Sequence, residues 1–333
     1  MTLIIGLNLS DRIYLAADTR LTVEDKVSNK KYYTDNIFKI APLVPPNLKS
    51  DVLLESKDRI YVAVAGDVEL AKHIYSEINK LSKNGHVEYD IREIDKFLNK
   101  KRISEFVAKF VNKTGVDSDI NCSIIFGGVS SSKTKTLPKE KLKELTDIHL
   151  RTVSRRKIKM HPLIPDLIEI DNIPLLPNHL FPFNLETGKK NDIVVADSLI
   201  FCLDICLIRG GEGFIFKKDY VEWGKFIARG ASRTIQDSIP KGFLVECEFM
   251  KYRSDPAIAG VIAKQIRRFA RKFTSIGGPI IIHAITQGST FPLYDPNEVI
   301  LKNGRVFLKD KFGHENERIP FWCYPAIKLN AEI

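Results

Sequence analysis

The order of apolar patterns constrains this chain more than any single motif. Strand-like runs come in blocks, and helical stripes come in pairs between them. Leu3 to Leu9 and Arg12 to Ala17 flank the turn-like Ser10-Asp11 and read as a hairpin beginning at residue 2. Asn36 to Leu43 and Arg59 to Ala65 read as a third and a fourth strand. Two helical stripes follow. The first starts after Asp67 and aligns Val68, Ala71, Ile74, Tyr75, Ile78 and Leu81, and the second runs from Ile94 to Phe110. Cys122 to Val129 reads as a buried strand. Beyond residue 191, strands are expected at Leu199 to Leu207, Gly213 to Phe216 and Ile280 to Ile285, and near residues 299–301 and 306–308. Helices are expected at Trp223 to Ile239 and Pro256 to Phe273, the second capped by Asp255 with Pro256 at its first position. Such blocks favour an α+β protein with two antiparallel sheets and helices outside them over alternating βαβ units.

The 333 residues are enough to bury a sizeable core, and 44% hydrophobic with 28% charged content is globular rather than disordered composition. The middle differs in character. Residues 131–191 hold six of the 16 prolines and, between 133 and 159, a dense basic group that includes Lys133, Lys135, Lys139, Arg151, Arg155 and Lys159. This segment reads as a basic insertion lobe between two parts of one core, residues 1–130 and 192–333. Much of the net charge of +10 lies there. Glu140, Glu144 and Asp147 interrupt the basic group and no aromatic residues interleave it, so a solvated lobe is favoured over a nucleic-acid partner.

Other classes are argued against in turn. The longest apolar run, Leu199 to Ile208, is broken by Asp204 and is far shorter than the roughly 20 residues of a membrane span. The N-terminus lacks a secretory pattern, which points to the cytoplasm. Five cysteines at irregular spacing suggest reduced thiols. There is no P-loop, dinucleotide glycine motif or metal-type histidine pair, so neither a cofactor nor a metal is expected.

Thr2-Leu3-Ile4-Ile5-Gly6, Leu15-Ala16-Ala17-Asp18-Thr19-Arg20, Asn36-Ile37-Phe38-Lys39-Ile40 and Val62-Ala63-Val64-Ala65-Gly66 together resemble the opening of proteasome-type subunits, which are N-terminal nucleophile (Ntn) hydrolases. Gly127-Gly128, Ala228-Arg229-Gly230-Ala231-Ser232 and Ser275-Ile276-Gly277-Gly278 follow in the family's order. The resemblance implies a four-layer α-β-β-α sandwich, with two antiparallel sheets between helix layers. It also implies a peptide or other amide substrate, and association with itself or related subunits in a ring.

The chemistry at residue 2 can be stated without the family. A threonine hydroxyl is a weak nucleophile and needs a base. An α-amino group titrates at about 7.7–8.0, so an N-terminal threonine carries its own base. Thr2 gains that property once Met1 is removed. The resemblance makes Asp18 the residue that orients the site, a lysine its electrostatic helper, and the Gly66 N–H the donor to a developing oxyanion. The family's lysine position falls on Asn36, or on Lys39 if the preceding loop is longer. Three supporting positions depart from the pattern: Ala231 stands where the family has a serine, which is either missing or moved to Ser232, Phe273 where it has an aspartate, and Ile276 where it has a second serine. These departures leave two expectations: a threonine-type amidohydrolase or peptidase, and a noncatalytic structural or assembly subunit with a degraded site.

Overall fold

The computed structural model describes residues 2–9, 12–25, 30–43, 60–84, 90–115, 119–136, 158–160, 167–170, 173–177, 194–208, 213–230, 235–251, 254–286, 290–293, 295, 298–302, 305–309, 313–323 and 331–332. The chain is α+β and rich in strands. Ten strands make the two largest sheets: β1 (Ile4–Leu9), β2 (Arg12–Asp18), β3 (Ile40–Pro42), β4 (Ile60–Gly66), β5 (Ile120–Thr136), β6 (Val194–Ile208), β7 (Gly213–Val221), β8 (Lys225–Arg229), β9 (Ile280–Thr286) and β10 (Thr290–Leu293). One sheet runs β8-β1-β2-β9-β10 and the other β7-β6-β5-β4-β3, with every pairing antiparallel. Among the described residues the helices are α1 (Val68–Lys83), α2 (Ile91–Phe97), α3 (Lys100–Thr114), α4 (Gly242–Lys251) and α5 (Asp255–Ala270).

Burial separates three apolar clusters. Ile4, Ile13, Leu15 and Ile281 from the β1 sheet join Tyr61, Ala63, Ile125 and Ile200 from the β5 sheet in one of them. Ile5, Leu7 and Tyr14 face Phe243 of α4 and Ile258, Ile262 and Phe269 of α5. Val62, Ile124, Phe126 and Phe201 face Leu70 and Ile74 of α1, Ile94 of α2 and Phe106 of α3. Both faces of β1 are therefore covered, which is why its six residues are all buried and show no polar alternation.

Helix boundaries follow local chemistry. Asp67 ends the turn after β4 and accepts the Leu70 N–H at 2.8 Å, capping α1. The stripe from Ile94 to Phe110 proves to be two helices. The chain breaks at Leu98, and Asn99 caps α3 by accepting the Arg102 N–H at 3.0 Å. Ser254 caps α5 in place of the expected Asp255, which instead accepts Arg12 at 2.6 Å and the Tyr14 hydroxyl.

Residues 223–239 do not form the helix that their spacing predicts. Lys225–Arg229 is strand β8, paired with β1 through Ile5–Ala228 and Gly6–Ile227, and residues 235–239 turn rather than continue a helix. The apolar residues Trp223, Ile227, Ile235 and Ile239 imitate helical spacing, but pairing with β1 satisfies the backbone instead. The helix of this region lies further on, as α4.

The 131–191 segment is entered and left through paired strands: after a register shift between Ala196 and Ser198, β5 and β6 still pair at Thr136 and Val194. Within the segment, Ile158–Met160, Leu167–Ile170 and Ile173–Pro177 form a three-stranded antiparallel sheet. Most of its basic group lies outside the described residues. Near the C-terminus, Ile319–Pro320 pairs in parallel with Ile37–Phe38, and the buried Phe321 meets the Tyr75 ring of α1 edge-on at 5.4 Å. Among the described residues, no helix is long and apolar enough to cross a membrane.

Candidate active site

Asp18, the last residue of β2, is fully buried and anchors three groups. Its Oδ1 accepts the Leu3 N–H at 2.9 Å and the Lys39 ammonium at 3.1 Å, and its Oδ2 accepts the Gly277 N–H at 3.0 Å. One carboxylate oxygen therefore holds both the peptide N–H that follows Thr2 and the lysine. Thr2 and Lys39 are buried beside it, at 2% and 1% exposure. A charged acceptor with several donors in a dry setting makes strong hydrogen bonds, and it offsets part of the cost of burying the ammonium.

Lys39 occupies a crossing point of the chain. Ile37–Phe38 pairs with the C-terminal segment, whereas Ile40–Pro42 belongs to the β5 sheet, and Lys39 falls between them. Its carbonyl accepts the Val64 N–H at 3.0 Å, and its ammonium also donates to the Arg20 carbonyl. Burial pushes the Lys39 pKa down from the ordinary lysine range, and the Asp18 charge opposes that shift. Asn36 faces other partners: its side chain donates to the Glu317 carbonyl at 3.1 Å and accepts the Thr34 hydroxyl. Of the two candidates, Lys39 is the one that meets Asp18.

Gly66 lies two residues beyond Val64 and is exposed where the other three are buried. Its φ is +88°, and a Cβ there would come within 2.2 Å of the Asn121 carbonyl oxygen. The corner between β4 and α1 thus requires glycine on steric grounds alone. On the other side of the site, Gly230 packs so closely on residue 2 that a Cβ would meet the Thr2 carbonyl oxygen at 2.1 Å.

Support for the site comes from groups that side-chain matching does not find. Phe273 and Ile276 turn into the apolar cluster beneath α4 and α5, while the backbone N–H of the next residue, Gly277, reaches Asp18. Arg20 forms a two-pronged pair with Asp35, Nε to Oδ1 at 2.6 Å and Nη2 to Oδ2 at 2.8 Å, and its guanidinium lies 4.2 Å over the Tyr33 ring. Its Nη1 donates to the Thr274 carbonyl at 2.9 Å, so Arg20 ties the 274–277 turn to the strand end that carries Asp18. An arginine two residues after the aspartate is the signal present in the sequence. Its partner Asp35, 15 residues on, carries none. Ala231 and Ser232 lie outside the described residues.

Burial raises the thiol pKa of Cys122 and of Cys202 well above the ordinary value, which disfavours the thiolate of each.

The solved structures that the chain is similar to include two Anbu (ancestral beta-subunit) proteins. The one from Yersinia bercovieri is 10% identical with a TM-score of 0.40, over 88% of this chain and 87% of that one. A Gly-1 mutant from Hyphomicrobium sp. strain MC1 is 13% identical with a TM-score of 0.43, over 88% of each chain. No protein-family model and no curated protein matches.

Proposed function

We propose that the chain is a threonine-type N-terminal nucleophile hydrolase acting on a peptide or other amide, with Thr2 exposed by removal of Met1. The observation that carries this reading is the shared Asp18 Oδ1, which holds the Leu3 N–H and the Lys39 ammonium together in a fully buried setting. In this reading the two large sheets and their helices form a four-layer α-β-β-α sandwich. The Thr2 hydroxyl attacks the amide carbonyl and its own α-amine takes the proton. Lys39 supplies positive charge beside the nucleophile, held by Asp18 and the Arg20 carbonyl. The Gly66 N–H donates to the oxyanion as the tetrahedral intermediate forms. The amine then passes its proton to the leaving nitrogen, and water releases the acyl group from Thr2. The protein acts in the cytoplasm and associates with itself or with related subunits in a ring.

A second reading, a noncatalytic structural subunit, is favoured by one observation: Thr2, Asp18 and Lys39 are all buried, so a chain that keeps Met1 presents no accessible nucleophile. The mass of the N-terminal peptide from the purified protein separates the two. A peptide beginning at Thr2 fits the hydrolase, and retained Met1 rules it out.

A further inference from the structure

The proposed nucleophile and the proposed oxyanion donor stand on different sheets. Thr2 precedes β1, whereas Gly66 ends β4. Something has to set the gap between them. Beside the Asp18–Lys39 pair, a second side chain joins the two sheets near this site, Arg229 at the end of β8.

Arg229 pairs with Ile4 across β8 and β1, two residues from Thr2, and the next residue, Gly230, packs on the Thr2 carbonyl. Its guanidinium reaches over to the other sheet. Nε donates to Asp204 Oδ2 of β6 at 2.8 Å, and Nη2 donates to Asp219 Oδ2 of β7 at 2.6 Å. Nη1 donates to Gln236 Oε1 at 2.9 Å and to the Ala228 carbonyl at 3.1 Å. The second oxygen of Asp204 accepts the Ser123 hydroxyl at 2.6 Å. Ser123 pairs with Asp204 on one side and with Ala65 on the other, so a single row across the β5 sheet runs Ala65, Ser123, Asp204. That row begins one residue before Gly66 and ends on the carboxylate that Arg229 grips.

We infer that Arg229 is a positioning residue: with Asp204 and Asp219 it clips the sheet carrying Thr2 to the sheet carrying Gly66 and so fixes their spacing. Its donors are taken up by two carboxylates, an amide and a carbonyl, so its role is geometric rather than direct contact with substrate. A planar fork with several fixed donors suits this use, because it holds distance and angle together. The inference rests on the hydrolase reading for its effect on rate, but the clip itself can be measured without activity.

The test uses Arg229→Met and Asp204→Asn in the full chain, with a β-lactone as the acylating probe of Thr2. The clip predicts that each variant lowers the maximal acylation rate by about tenfold or more, with the half-saturating probe concentration unchanged. It also predicts faster hydrogen exchange at residues 2–4 and 65–67 together, with exchange in α5 unaltered. A maximal rate equal to that of the parent chain overturns the proposal, as does unchanged exchange in either segment. If the parent chain is not acylated at all, the hydrolase reading falls. Exchange alone then decides the clip: faster exchange in both segments upholds it, and unchanged exchange overturns it.

Discussion

Lys39 and Asp18 show how one buried pair defines the candidate site. The ammonium is 1% exposed and depends on a carboxylate that also holds Leu3 and Gly277. Removing the lysine leaves a buried carboxylate without its cation, a costly arrangement. Lys39→Ala is expected to abolish acylation of Thr2 and to lower stability by about 3 kcal/mol or more, read by probe labelling and by urea unfolding. His283 gives a separate pH prediction. It is buried against the Tyr61 ring at 4.9 Å, and burial, with Arg318 adding to it, pushes its pKa down to about 3. The folded pKa lies below the unfolded value, so the unfolded chain binds the proton first. The contribution is intact above about pH 6.5 and is lost as pH falls toward 3, by about 1.4 kcal/mol per pH unit. Urea midpoints measured across that window are expected to drop with pH, and to drop less in His283→Leu.

At the scale of elements, the corner between β4 and α1 is the least tolerant point. Gly66→Ala places a methyl group against the Asn121 carbonyl at positive φ and is expected to destabilise the fold by at least about 1–3 kcal/mol. Asp67→Ala, one residue on, removes only the cap and is expected to cost about 1 kcal/mol. Thermal unfolding of the two variants checks the ranking. The same scale shows what the sequence made legible. Apolar-rich runs such as Ile4 to Leu9, broken by Asn8, and Ile280 to Ile285, broken by His283, read as strands, and the structure buries them. Residues 225–229 were not legible, since edge pairing with β1 overrides a spacing that looks helical. Lys39 and Asn36 were not separable because the strand they share breaks between two sheets. Period-two reasoning along one strand does not reach across such a break. The Gly277 N–H on Asp18 was invisible for another reason: a backbone donor has no residue type to match.

For the whole molecule, much of the formal charge of +10 lies in the 133–159 segment, where Glu140, Glu144 and Asp147 interrupt the basic residues and no aromatic residues interleave them. That interrupted pattern, a solvated lobe, predicts no salt-dependent association with DNA or RNA at low ionic strength, checked by fluorescence anisotropy. Ile208 of β6 and Ile215 of β7 are exposed apolar residues on paired strands. Sedimentation of the full chain is expected to give a mass above that of a monomer. The central claim is that Thr2, freed of Met1 and served by Lys39, is a nucleophile. Intact mass after treatment with a β-lactone tests it most directly. The account predicts one adduct per chain, mapped to a peptide that begins at Thr2 and absent from Lys39→Ala. Retained Met1, or a chain beginning at Thr2 that takes up no adduct, would contradict it.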